Sequence, residues 1–249
     1  MREFWVASGH HLTRRADHGG LVATPELIVA YLARPELMPP ADACEAERDL
    51  HASLMVDPLR PVSAKDIARL AAVREAVGGA FEIMVDANQC FSVSEAIRRA
   101  RAFEPFGLAW LEEPLPAEDL GGHVELAAHT AIPIAVGESL YHPSHFREDL
   151  ARRACSIVQV DCARIGGITP WLKVAHLAET FNVAVCPHFL MELHVSLTAA
   201  APNAAWVEYI PQLDDITTSR LAIADGCAIA PAAPGLGIEW NFAAIDARA

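Results

Sequence analysis

The sequence predicts an α/β fold, a TIM-like (β/α) barrel that is incomplete or modified at its N-terminal strands. Three observations predict it. From residue 63 onward, short apolar runs rich in β-branched residues alternate with longer stretches of helical periodicity. The runs are continuously hydrophobic, which suits parallel strands buried on both faces. The chain has 249 residues, close to the roughly 250 that one such barrel needs. Strand followed by helix, repeated, implies right-handed crossovers and a parallel sheet. Six consecutive units of this kind favour a closed barrel over an open doubly wound sheet.

Taken in order, EFWVASG (3–9) reads as an early strand and HASLMV (51–56) as the next. The stretch between them is rich in Pro and Ala, so residues 1–62 form an irregular N-terminal segment and 63–249 the barrel domain. SAKDIARLAAVREAVGG has an N-cap at Ser63 and stops at Gly78 and Gly79, the start and end signals of a helix. FEIMVD (81–86) is the strand after it, and SVSEAIRRARAFEPFG repeats the same helix signals. Strands follow at LAWLEE (108–113), IPIAVGE (132–138), SIVQVD (156–161), VAVCPH (183–188) and AAWVEY (204–209). Helices lie near 118–129, 144–153, 169–181 and 190–200. The tail after 209 reads as a return loop, with PGLG (234–237) forming a turn.

Composition narrows the function classes. Hydrophobic residues make up 53% and mean hydropathy is +0.22, enough for a large core. No apolar run reaches the roughly 18 residues of a membrane helix, and the N-terminus lacks the features of a secretory signal, so the expectation is a cytoplasmic protein with no membrane partner. The formal charge is −13, which repels phosphate backbones and argues against nucleic acid. It also opposes unaided capture of anionic substrates, so an acid substrate needs a bound cation. None of the cysteines, at 44, 90, 155, 162, 186 and 227, forms a CxxC pair, and buried reduced thiols are the expected state.

The chemistry lies at the strand ends. Asp86, Glu112, Glu138, Asp161, His188 and Glu208 close successive runs, separated by 26, 26, 23, 27 and 20 residues. In a barrel the C-terminal strand ends form one rim, where active sites sit, so these side chains converge. A lone carboxylate after a strand is ordinarily a cap or loop residue. Three at near-equal spacing, Asp86, Glu112 and Glu138, oppose folding unless a cation neutralises them. All-oxygen ligands select a hard ion, Mg²⁺ first with Mn²⁺ as the alternative. Asp161 neighbours His188 on the rim and would orient its imidazole and raise its basicity, as a general base requires. Glu208 is an acid, a hydrogen-bond donor to a developing oxyanion, or an ordinary rim charge. Asn88 either reaches a substrate hydroxyl or caps the next helix.

VDANQ, WLEEP, VGES, VQVDCARIGGITPWLKVAHLAE, the PHF at 187–189 and PGLGI together resemble the enolase superfamily, specifically its mandelate racemase subgroup, over roughly residues 63–240. The resemblance implies Mg²⁺ ligation by Asp86, Glu112 and Glu138, with Glu113 supporting the ligand beside it. It implies His188 as base, Asp161 as its orienting partner, Glu208 as the acid that supports the enolate, and Asn88 as a substrate contact. The implied reaction is Mg²⁺-dependent abstraction of the proton α to a carboxylate through an enediolate, in a homo-oligomer acting on a small carboxylic acid. Two departures bear on it. The family's capping domain has no counterpart in residues 1–62, and its Lys-x-Lys pair falls on Ser53 and Met55, while the lysines present, Lys65 and Lys173, lie in predicted helices. Without a base opposite His188, dehydration of a sugar acid by a Mg-dependent lyase is expected. The alternatives are a truncated metal-binding barrel without activity and a racemase or epimerase.

Overall fold

In the computed structural model, residues 5–6, 64–224 and 226–248 are described. The elements follow one another as β1 (Trp5–Val6), α1 (Ala64–Val77), β2 (Ile83–Asp86), α2 (Val93–Phe103), β3 (Leu108–Glu112), α3 (Leu120–Ala127), β4 (Ile134–Val136), α4 (Pro143–Ala151), β5 (Ile157–Val158), α5 (Ile168–Thr180), β6 (Ala184–Val185) and α6 (Met191–Ala200). The six strands lie side by side in sequence order, each parallel to the next. This is the barrel succession, and among the described residues the sheet does not close. HASLMV, Ser63, Lys65 as a side chain and Cys44 fall outside what is described, whereas part of EFWVASG does form β1, pairing Trp5 with Met84 and Val6 with Val85.

The helices begin where side chains replace missing backbone partners. Ser92 Oγ accepts from the Glu95 N–H at the start of α2, and Asp119 Oδ1 accepts from the Gly122 N–H at 2.8 Å at the start of α3; each satisfies a donor that the first turn leaves open. Asn88 is therefore not the cap of α2. It adopts φ 44°, and its N–H turns back to Asp86 Oδ1 at 2.7 Å.

Side chains alternate across each strand, and the two sheet faces differ. The helix-facing residues Ile83, Leu111, Ile134, Val158 and Val185 are essentially fully buried against Ala96, Leu126, Phe146 and Trp171. The opposite face carries a smaller cluster of Met84, Trp110, Ala135 and Cys186. Asp86 lies two residues beyond Met84, and Glu112 two beyond Trp110, so both carboxylates stand on that same inner face above the cluster.

Two expectations need correction. The strands are shorter than the apolar runs, and AAWVEY makes only a single bridge, Ala204 to Val185. Its neighbour β6 offers just two ladder positions, and Glu208 is drawn off to another contact. The tail is more than a return loop: Ala222–Ala224 and Cys227–Ile229 form an antiparallel hairpin, β7–β8, and a short helix, α7 (Phe242–Asp246), follows. None of the described cysteines is in a disulfide, and Cys155, Cys162 and Cys186 are buried, as expected. No helix among the described residues is long and apolar enough to cross a membrane.

Asp149 on α4 is buried at 6% exposure, and burial, aided by the charge of Glu148, pushes its carboxyl up to about 6. A raised carboxyl contributes stability below its unfolded value that is lost as pH rises through the folded one. Asp149→Asn is therefore expected to match the wild type near pH 4 and to exceed it by about 1–2 kcal/mol at pH 8. Urea denaturation at the two pH values measures this; equal differences at both would show that Asp149 carries no such penalty.

Candidate functional site

The rim of the sheet brings the six strand-end side chains into one neighbourhood. Asp86 and Glu112 are direct partners in the β2–β3 register, one strand spacing of about 4.8 Å apart. Burial raises Glu112 well above the usual carboxylate range, and the charges of Asp86, Glu138 and Glu208 add to it, while the Gln159 amide opposes. Asp86 is raised well above its usual value by burial and then by Glu138, against the Asn88 N–H. Glu112 Oε2 accepts from Trp110 Nε1 at 3.1 Å, and its Oε1 is buried without a hydrogen-bond partner.

Glu138 follows β4 across Gly137. That glycine has φ 151°, and a Cβ there would lie 2.7 Å from the Gln159 backbone. Gly137→Ala is expected to cost about 2–4 kcal/mol, from backbone strain plus overpacking against atoms that cannot move aside. Chemical denaturation reads this, and an unchanged midpoint would show that the crossing is loose. The Glu138 carboxylate is engaged from two sides: Oε1 accepts from Arg164 Nη1 at 3.1 Å, and Oε2 lies 3.0 Å from His188 Nε2.

His188 Nδ1 meets Asp161 Oδ2 at 2.9 Å. Asp161 Oδ1 also accepts from the N–H groups of Ala163 at 2.7 Å and Arg164 at 3.1 Å. Burial alone would raise this carboxyl, but the hydrogen bond from His188 and those two N–H groups outweigh it and hold it below its usual value. Burial pushes the His188 imidazole down, while the Asp161 hydrogen bond and the charges of Glu208 and Glu138 push it up and prevail. Glu208, 4% exposed, accepts from the Phe189 N–H through Oε2. Burial, with Glu138 and Asp161 nearby, lifts it to about 7 against the opposing pull of His188 and Phe189.

Several neighbours were not singled out by spacing. Arg164 holds both the carboxylate and the carbonyl of Glu138; its only signal is its place three residues after Asp161. Gln89 Nε2 donates to Glu113 Oε2 at 3.0 Å and to Ser139 Oγ at 2.9 Å. Burial and the Glu138 charge raise Glu113 to about 7, with the Ser139 and Gln89 hydrogen bonds opposing.

Among the described residues, no three His, Cys, Asp or Glu side chains are arranged as a metal cage. The donor chemistry nonetheless fits a hard cation. Glu112 has a buried oxygen without a hydrogen-bond partner, the charges of Asp86 and Glu138 help to raise Glu112, and that of Glu138 helps to raise Asp86, a repulsion a divalent ion relieves. Glu138 has the right oxygens, now directed to Arg164 and His188.

Comparison with known proteins gives a consistent result. The family model described as enolase C-terminal domain-like matches residues 41–244. The chain is 44% identical over 167 residues to the L-talarate/galactarate dehydratase of Salmonella typhimurium, covering 67% of this chain and 42% of that protein. It is 36% identical over 184 residues to the 3,6-anhydro-alpha-L-galactonate cycloisomerase of Streptomyces coelicolor, covering 74% and 51%. Among solved structures, the L-talarate dehydratase of Polaromonas sp. JS666, complexed with Mg and L-glucarate, superimposes with a TM-score of 0.72 at 39% identity, covering 84% of this chain and 60% of the other. The chain thus spans about half the length of the curated relatives it matches.

Proposed function

The chain belongs to the enolase C-terminal domain-like family, and on that premise we propose that it removes the proton α to the carboxylate of a sugar acid and expels the β-hydroxyl as water. The observation that carries this reading is the His188–Asp161 pair, 2.9 Å apart, set on one rim with the half-buried Asp86 and the buried Glu112 and Glu208.

The residues divide the work as follows. Asp161 accepts the Nδ1 proton and so makes Nε2 the base nitrogen; in the contact with Glu138 Oε2 the protonated ring is the donor. Once the ring gives up that proton and the contact is released, Nε2 takes the α-proton. Asp86, Glu112 and Glu138 would hold Mg²⁺, or Mn²⁺, which would supply Lewis-acid stabilisation for the second negative charge that α-proton loss places on the substrate carboxylate. Glu208 has a carboxyl near 7 and one oxygen occupied by the Phe189 N–H; its other oxygen, when protonated, donates to the same developing charge. The imidazolium at His188 then returns its proton to the departing hydroxyl, and the enol product becomes a 2-keto acid. Asn88, whose N–H donates to Asp86 Oδ1, would contact a substrate hydroxyl. The same reading expects a cytoplasmic homo-oligomer.

Incubation with Mg²⁺ and a panel of aldonic and aldaric acids, followed by 2-keto acid detection, tests the proposal. His188-dependent keto acid formation is the expected result. Clean Mg²⁺ binding with no turnover of any acid would favour the second reading, a truncated metal-binding barrel without catalysis; the observation on its side is that Glu138 occupies Nε2 of the proposed base. Racemisation requires a base opposite His188. Lys173 lies exposed on α5, and Ser53 and Met55 lie outside the described residues; α-deuterium incorporation with inversion would mark that third reading.

A further inference from the structure

His194 is fully buried in the first turn of α6 and has no part in the chemistry above. Its ring joins two backbone segments. Nε2 accepts the Cys162 N–H at 3.0 Å. Because Nε2 is an acceptor, the ring proton sits on Nδ1 and is donated to the Phe189 carbonyl at 2.6 Å. Cys162 is the residue after Asp161, and Phe189 is the residue after His188.

We propose that His194 is a positioning residue, a neutral crossbar that ties the Asp161 loop to the His188 loop and so holds His188 Nδ1 against Asp161 Oδ2. The inference rests on the reading of His188 as the base.

The His188 loop needs such a tie. Phe189 and Leu190 adopt φ 60° and 34°, two successive left-handed residues with side chains, a conformation that persists only when its surroundings over-determine it. The peptide groups on both sides of Phe189 are held: its N–H by Glu208 Oε2 and its C=O by His194. The Phe189 ring stacks on the His188 imidazole at 5.5 Å between centroids, so displacement of Phe189 moves the base. His194 is itself braced. Its ring lies 6.3 Å from that of Trp171, whose Nε1 donates to the Val160 carbonyl at 3.1 Å, and its own N–H donates to the Leu190 carbonyl at 3.0 Å. Burial pushes the imidazole down to about 4, which keeps the acceptor at Nε2 unprotonated at neutral pH.

The test compares His194→Phe, which keeps an aromatic ring but loses both hydrogen bonds, with His194→Gln, which retains an acceptor and a donor. The readouts are kcat and KM on the accepted acid, and the ¹⁵N and Nδ1-proton resonances of His188, assigned by their loss in His188→Asn. Substitution of groups that orient a functional side chain costs roughly 10–100-fold, and that loss is expected in kcat for His194→Phe, with KM little changed, the His188 Nδ1 proton signal gone, and both partly recovered in His194→Gln. Wild-type kcat with an unchanged His188 signal in His194→Phe would overturn the proposal, as would a fall in kcat that matches the fall in folded fraction. Should His194→Phe fail to fold, His194→Leu, which also lacks both hydrogen-bonding groups, decides on the same two readouts. If the wild type turns over no acid, the functional reading fails separately, and the His188 resonances alone decide: persistence of the Nδ1 signal without the crossbar overturns it.

Discussion

His188→Asn is expected to lower turnover of the accepted acid by about 10³-fold, within the range for loss of a positioned general acid–base, and dehydration uses the group twice. The substitution removes Nε2, the atom proposed to take the α-proton, and leaves Asp161 and Glu208 in place. Asp161→Asn is the informative companion. Asp161 provides the leading upward push on the His188 imidazole, against the downward push of burial. Its loss lowers the pH at which the base form appears, so the acid limb of the kcat/KM profile moves to lower pH while the rate falls less than in His188→Asn. Steady-state kinetics from pH 5 to 9 measures both. Wild-type turnover in His188→Asn would remove this histidine from the mechanism, whatever the metal does.

Adding Mg²⁺ is expected to stabilise the protein by about 3 kcal/mol at a hundredfold excess over Kd, which for a chain of this size is a rise in Tm of roughly 6–12 °C. Glu112→Gln is expected to abolish the rise while making the metal-free protein more stable than the wild type. The reason is the same in both cases. Asp86 and Glu112 are register partners, both raised by desolvation, Glu112 further by the charges of Asp86 and Glu138 and Asp86 by that of Glu138. A raised carboxyl contributes stability that is full below its unfolded value, about 4, and fades as pH rises through its folded value. The metal-free wild type should therefore lose stability between acid and neutral pH, with Mg²⁺ restoring it and Glu112→Gln flattening the dependence. Differential scanning fluorimetry at pH 5 and 8, with Mg²⁺ or EDTA, reads all four combinations. An equal Mg²⁺ response in wild type and Glu112→Gln would move the ion away from these carboxylates.

Much of this was legible in the sequence because a parallel (β/α) unit imposes one strand end every 20–27 residues. Asp86, Glu112, Glu138, Asp161, His188 and Glu208 were found by that rhythm alone, and the helices lie within a few residues of their predicted places. What failed had local causes. AAWVEY is apolar enough for a strand, but β6 has only two residues to pair with. Of the two roles left open for Asn88, its positive φ and the cap at Ser92 leave out the capping one. Arg164 and His194 carried no distinctive spacing, because each acts across segments far apart in the chain.

By itself, the sequence determined the fold class, the order of the parallel strands and which residues stand at the rim, because hydrophobic period and helix signals are local properties repeated along the chain. Only the tertiary structure decided which oxygens meet which nitrogens: that Glu138 faces Arg164 and His188, that Glu112 retains an unpartnered buried oxygen, and that His194 bridges the Asp161 and His188 loops. Those facts depend on side-chain direction and burial across non-neighbouring segments, and burial is what sets both the cost of an unpaired charge and the protonation state of the groups proposed to do the chemistry.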